Sequence, residues 1–218
     1  MSGHCADLPL RQQSPHGPHH RARTGVVAMN VLLIQGHPDP ADSHFGNALA
    51  DAYAQAAENA GHAVRRVDVA QLDFPLVRTR EDWREGEPPT AIASAQADVL
   101  WADHLVIFYP LWLGAMPALL KGFFEQLFRQ SFAFGKNPMR PEHPLRGRSA
   151  RIVVTMGMPA FVYRFYFLAH SLKNLERNIL RFCGIRPVRS SLVGLVEGAP
   201  ARRSRWLQRM ARLGARAR

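Results

Sequence analysis

Apolar and polar positions along this chain switch between two periods, and the switches predict the elements. Residues 30–35 are a short, nearly continuous apolar run, the mark of a strand buried on both faces. From about 45 to 60 the period lengthens to that of a helix. Leu49, Tyr53 and Ala56 share one face there, and Gly61 is placed to end it. Residues 63–69 set Val64, Val67 and Val69 against Arg65, Arg66 and Asp68, a mixed pattern that suits a strand at a sheet edge. A proline-bearing loop over 71–90 leads to a helix at 90–101 and an apolar strand at 104–109. A further helix opens at Met116-Pro117, proline being tolerated in a first turn, and runs to about Phe128. The connection 129–148 carries Pro138, Pro141 and Pro144, and its length marks it as functional or partly disordered. Strands at 150–156 and 188–194 and helices at 168–182 and 199–214 complete the series.

Five repeats of strand then helix imply an α/β domain, a parallel sheet layered between helices on both faces. The glycine fingerprint of dinucleotide-binding sheets is absent, because the first strand runs into Gly36-His37-Pro38-Asp39-Pro40. The other common doubly wound arrangement, strand order 2-1-3-4-5, fits five strands. It places strands one, three and four side by side. The loops after them, 36–45, 110–116 and 156–163, then converge at the carboxyl edge of the sheet, where open α/β sheets bind ligands.

Composition fits one globular domain, with 47% hydrophobic and 21% charged residues in 218. The net charge of +11 is unevenly placed: +2 on residues 1–28 and +7 on 201–218, leaving +2 on the body. A nearly neutral body with one basic end argues against a nucleic-acid-binding domain. Residues 1–28 are rich in proline, histidine and arginine and lack the apolar core of a secretory signal. They read as a disordered tail ahead of a natural start at Met29, with His16, His19 and His20 at most an adventitious metal site. No apolar run approaches a membrane span. Cys5 and Cys183 match no metal or redox spacing, which points to a reduced, cytoplasmic protein without a metal centre. The organisation expected is therefore a tail (1–28), one domain (29–200) and a basic C-terminal helix and tail (201–218).

Each convergent loop carries chemistry. In the first, His37, Ser43 and the amides opening the next helix can donate to a phosphate; the alternative is that Ser43 is an N-cap and His37 a turn residue. In the second, Tyr109-Pro110-Leu111-Trp112-Leu113 is too apolar for a solvated turn and suits the edge and face of a flat ring, unless Trp112 caps the core or packs across a dimer interface. In the third, Thr155-Met156-Gly157-Met158-Pro159 brings backbone close at Gly157. Tyr163 and His170 follow as groups able to relay protons, or as packing residues in an aromatic stretch.

The set GHPDPADSHFGNALADAY, YPLWLGAMPALLKGFFEQLF, SFAFG and TMG resembles the flavodoxin-fold NAD(P)H:quinone oxidoreductases, over residues 29–196. The resemblance implies a flavodoxin-like three-layer sandwich, a flavin (FAD or FMN), NADH or NADPH as donor, and a homodimer with its sites at the interface. It implies that His37 and Ser43 hold the flavin phosphate, with His44 or Phe45 at the family's phenylalanine. Pro110, Leu111, Trp112, Leu113 and Gly114 would lie along the isoalloxazine, and Thr155, Met156 and Gly157 would meet it through the backbone. Tyr163 would stand on the substrate side beside the cofactor, and His170, with one inserted residue, at the family's histidine; both would neutralise charge during transfer. The activity implied is two-electron transfer from NAD(P)H to a quinone or similar flat acceptor.

Three departures stand out. The family's Thr-Thr-Gly-Gly turn is Thr155-Met156-Gly157-Met158, the second aromatic of the flavin loop is Leu113, and Tyr163–Leu168 is unusually aromatic. A different class of role is carried by the same resemblance: an ancillary flavoprotein of glutathione-gated potassium efflux channels. Its docking device would be the basic C-terminal helix, whose Trp206, Leu207, Met210 and Leu213 fall at helical spacing and could lie on a partner or an anionic membrane, or simply dock on the sheet.

Overall fold

A computed structural model describes residues 27–41, 43–135 and 143–218. The expectations for residues 1–26, including the tail histidines and Cys5, and those for Pro138 and Pro141 fall outside these residues. Five strands, β1 (Asn30–Gln35), β2 (Ala63–Asp68), β3 (His104–Pro110), β4 (Ser149–Met156) and β5 (Val188–Gly194), form one parallel sheet in the order β2-β1-β3-β4-β5.

Side chains alternate across it as the pleat requires. Leu32, Ile34, Leu105, Ile107, Ile152 and Val154 face one layer, made of α3 (Thr90–Trp101), α4 (Ala118–Leu127) and the segment from α6 (His170–Lys173) onward. Val31, Leu33, Val106, Phe108, Val153 and Val193 face the other, made of α1 (Phe45–Asn59) and α7 (Pro200–Gly214). With both faces covered, the strands need apolar residues at consecutive positions, and this is why they read as runs.

Three segments depart from the periodicity. The loop 71–90 contains a one-and-a-half-turn helix, α2 (Arg80–Glu85), started by Thr79, whose hydroxyl accepts from the Asp82 amide at 3.0 Å. The connection after α4 begins with a short helix, α5 (Gln130–Phe134). Both are held by Arg129, a buried guanidinium that donates to the Asp82 carboxylate, to the Gly86 carbonyl at 3.1 Å and to Gln126 Oε1 at 2.7 Å. An isolated sequence window carries no sign of so non-local a clamp. Third, the helix expected from 168 starts at His170, because Leu168 and Ala169 are left-handed, and it continues as a π-helix over Asn174–Leu180.

The C-terminal helix, set apart by its charge, packs in the same body. Met210 is buried, and Trp206, Leu207 and Leu213 pack on the cluster beneath α1. The apolar stripe therefore docks α7 on the domain and is not a face free to enter a membrane. The buried Arg151 of β4 adds a tie, donating to Ser191 Oγ at 2.9 Å and to the backbone oxygen of Arg218 at 2.6 Å. No helix among the described residues is long and apolar enough to cross a membrane.

The contact of α1 with α7 is close enough to require a residue without a side chain. A Cβ on Gly214 would stand 2.1 Å from the Tyr53 carbonyl oxygen. Gly214→Ala is expected to force the helices apart and lower stability by about 1–3 kcal/mol, as overpacking does. Thermal unfolding of the variant checks this; an unchanged midpoint would show that α7 tolerates displacement.

At the amino edge of the sheet, His104 donates or accepts through Nδ1 at Ser149 Oγ, 2.7 Å away, and is otherwise enclosed. Burial, reinforced by Arg151 and Arg189, pushes its pKa down to about 4. The unfolded chain binds this proton at the ordinary value near 6.5 while the folded one does not, so stability is full above pH 6.5 and declines as pH falls to 4. The expected loss over that window is about 3 kcal/mol. Denaturant unfolding of wild type and His104→Gln against pH tests it: the variant should lose much of that slope.

Candidate functional site

The carboxyl ends of β1, β3 and β4 open into a cleft of about 290 Å³. It is lined by His37, His44, Phe45 and Gly46 from the first loop and α1, by Pro110, Leu111 and Trp112 from the second loop, and by Thr155, Met156 and Gly157 from the third. Nine of the predicted residues, all of these but Gly46, are thus drawn together from three separate stretches of sequence by the strand order.

The first loop is rigidly braced. Gln35, polar at the end of an apolar strand, donates to Asn47 Oδ1 at 2.6 Å, and Asn47 donates back to the Ala41 carbonyl at 3.2 Å. The His37 and His44 rings stack with centroids 3.7 Å apart, and Trp112 stands edge-on to His37 at 5.8 Å. The Asp39 amide donates to His37 Nδ1 at 3.2 Å, and His44 Nε2 bonds the Asp39 carboxylate at 2.9 Å. Burial and the adjacent His44 lower the His37 pKa below its usual value. Asp39 is held below the carboxylate range by the Ala41 amide and then by His44. The N-cap of α1 is His44, not Ser43, which lies one residue earlier and exposed, and no acidic residue occupies the first turn. The positive end of the helix dipole therefore faces the cleft with no carboxylate of α1's own first turn to offset it.

The second loop is a tight turn. Trp112 and Ala115 exchange backbone hydrogen bonds at 2.9 Å, and Leu113 and Gly114 take φ of 47° and 77° between them. Leu113 is fully exposed, beside the cleft and not in its lining. A leucine held at positive φ stores strain, and such strain gathers at ligand sites. The Leu111 amide donates to the Thr155 carbonyl at 2.8 Å, joining this loop to the third. At Gly157 a Cβ would meet nothing, so the backbone there is open to a ligand.

Tyr163 and His170 are not brought to this cleft. Tyr163 is 1% exposed in the core, and its hydroxyl accepts from the Leu172 amide at 3.1 Å, fastening a π-helical turn (Val162–Tyr166) to α6. The reason is local: the left-handed pair Leu168-Ala169 folds the segment back on itself and turns the tyrosine inward. His170 opens α6 in an exposed position. Sequence reasoning in turn missed Val196 and Glu197, which close the cleft beyond β5, and Arg203 of α7, whose guanidinium lies 4.8 Å over the Phe45 ring. The signal was available in the strand order, since β5 lies beside β4.

Charge and shape divide the cleft. One end offers two imidazoles and the Phe45 and Gly46 amides, a donor set for a phosphate. The other offers a flat apolar wall, Pro110-Leu111-Trp112, and open backbone, suited to an aromatic ring system. Tyr163→Phe is expected to lower stability by about 1–2 kcal/mol, through a buried amide left unpaired, while ligand uptake by the cleft stays unchanged. Unfolding and binding measured on one sample would separate this from a loss of the site.

Comparison with known proteins follows the same geometry. Residues 29–215 match the family described as having a flavodoxin-like fold. An uncharacterised NAD(P)H oxidoreductase of Haemophilus influenzae is 28% identical over 170 residues, covering 76% of this chain and 84% of that protein. NAD(P)H dehydrogenase (quinone) 1 of Rattus norvegicus is 23% identical over 200 residues, covering 80% and 72%. Among solved structures, an NAD(P)H:quinone oxidoreductase from Methanothermobacter marburgensis superposes with a TM-score of 0.72 at 23% identity, covering 86% of this chain and 96% of that one.

Proposed function

The chain belongs to the flavodoxin-like fold family, and from that premise we propose that it is a flavin-dependent NAD(P)H oxidoreductase passing two electrons to a quinone or similar flat acceptor. The observation that carries the reading is the divided cleft, anionic-ligand donors at one end and a flat apolar wall at the other. His37, His44 and the α1 amides would hold the flavin phosphate, and Pro110, Leu111 and Trp112 would flank the ring. The backbone at 155–157 would meet the ring's polar edge. A bound flavin supplies the two-electron chemistry between nicotinamide and acceptor; the protein orients the rings and excludes water.

The protein acts as a homodimer in this reading. Phe161, Phe165, Tyr166, Phe167 and Leu168 stand exposed in one run directly after the third loop, with Phe165 at 71% and Tyr166 at 79%. So much aromatic surface in one segment marks an interaction face, and a second copy laid on it would also wall the cleft. His170 follows that run and is the remaining candidate to neutralise charge on an acceptor. A cytoplasmic location goes with this reading. The channel-accessory role loses its docking device, because the stripe of α7 packs on the domain itself, Met210 buried and Trp206, Leu207 and Leu213 partly so.

Purified protein is expected to be yellow, to release one flavin per chain on denaturation, and to oxidise NADH or NADPH with a soluble quinone and no added partner. Colourless protein that takes up neither FMN nor FAD would reject the proposal. Light scattering should give twice the chain mass, and Phe165→Glu with Tyr166→Glu should return it to one.

A further inference from the structure

The outer face of α7 is a row of arginines. At 100° and 1.5 Å per residue, Arg202, Arg205, Arg209 and Arg212 fall within about 80° of arc and about 15 Å of helix. All four are exposed, and with Trp206 and Gln208 they border an open hollow of about 340 Å³. The Arg209 guanidinium lies 5.1 Å over the Trp206 ring, so the partly buried indole stands between the domain and the row. Burial lowers the Arg151 pKa, and Arg189 and Arg209 lower it further, which carries the positive field from the helix to the edge strand β5.

Nothing within the helix offsets this charge. Residues 201–218 hold seven arginines and no acid. No ion pair among the described residues includes an arginine of α7, and Glu197, which precedes the helix, lines the cleft. Arg202 and Arg203 occupy the first turn, where the helix dipole opposes a cation. Arg205 and Arg209 form a like-charged i, i+4 pair, which weakens the helix further. A helix shaped only for its own stability would carry carboxylates at these places. This one holds a row of single sign, whose counter-charge comes from outside the chain.

We propose that the arginine face of α7 docks the protein on an anionic bilayer, through the phosphates of its lipid headgroups. Shape favours a bilayer over a nucleic acid. The row is convex and carried by one helix already packed along another face, so it meets a plane better than it enters a groove. Trp206, beside the row, is a residue type suited to the headgroup level. The contact is electrostatic and needs no insertion, since the apolar stripe is engaged on the domain. The start of α7 adjoins the cleft, Arg203 lying over Phe45, so docking sets the cleft beside the lipid. On the flavin reading above, on which this consequence rests, a flat apolar acceptor concentrates there.

Co-sedimentation with vesicles of phosphatidylcholine, alone or with one third phosphatidylglycerol, tests this. Binding to the anionic vesicles is expected to exceed binding to the neutral ones at least about tenfold, and to vanish near 1 M salt, where charges are screened beyond about 3 Å. Each arginine near the surface is worth about fivefold, so R205Q/R209Q should weaken binding about 25-fold and Arg202→Gln or Arg212→Gln alone about fivefold. R205K/R209K should keep it, and R78Q/R80Q, on the loop before α2, should leave it unchanged. Removing like charges should leave the unfolding midpoint of R205Q/R209Q at or above that of wild type, which separates lost docking from lost folding. Equal binding to both vesicles, undiminished binding by the glutamine variants, or tighter binding to duplex DNA at the same salt would overturn the inference. Sedimentation reads protein mass whether or not a flavin is bound, so colourless protein that still binds anionic vesicles would remove the flavin reading alone.

Discussion

Parallel pairing is the constraint from which the rest of the molecule follows. A parallel strand cannot return to its neighbour by a tight hairpin, so each connection must cross a face of the sheet, and in five strands both faces become covered. That coverage demands strands apolar on both sides. It also places every strand-to-helix loop at one edge, and the reversal of direction between β1 and β3 leaves a crevice there. The cleft is thus a product of topology before any residue in it is considered.

Within the crevice, function depends on how firmly the loops are held. The buried Gln35–Asn47 bridge fixes the first loop to the start of α1. The Trp112–Ala115 turn, with Leu113 at positive φ, fixes the second, and the Leu111 amide on Thr155 couples it to the third. None of these contacts touches a ligand through its own chemistry, yet each sets where the donors of the cleft point. The stacked histidines belong to the same scheme, a pair of rings kept in place by one aspartate.

The segment from Phe161 to Leu180 follows a different logic. Its π-helical turns and its two consecutive left-handed residues cost conformational energy, and they turn Tyr163 inward while leaving Phe165 and Tyr166 in solvent. A chain that exposes aromatics beside its cleft has surface still to bury, which is the physical basis for reading that side as an interface.

The sequence by itself marked the five strands and the three loops that meet, because burial on both faces is written in consecutive apolar residues such as Leu32-Leu33-Ile34 and Leu105-Val106-Ile107 and an edge strand in the mixed pattern of 63–69; the order followed as the doubly wound arrangement that five strands without a glycine fingerprint fit. It also determined most of the cleft lining, from His37 to Gly157, since strand order converts sequence position into spatial position. Tertiary structure alone decided the rest. Whether Tyr163 faces the cleft or the core turns on the backbone at Leu168 and Ala169, which no side-chain pattern announces. The clamp of Arg129 on α2 and the inward docking of the α7 stripe depend on partners tens of residues away. Arg203 reaches the site only because α7 lies across α1 at Gly214. Periodicity reports which face of an element is apolar; what that face, or a side chain at its end, will meet is settled by packing.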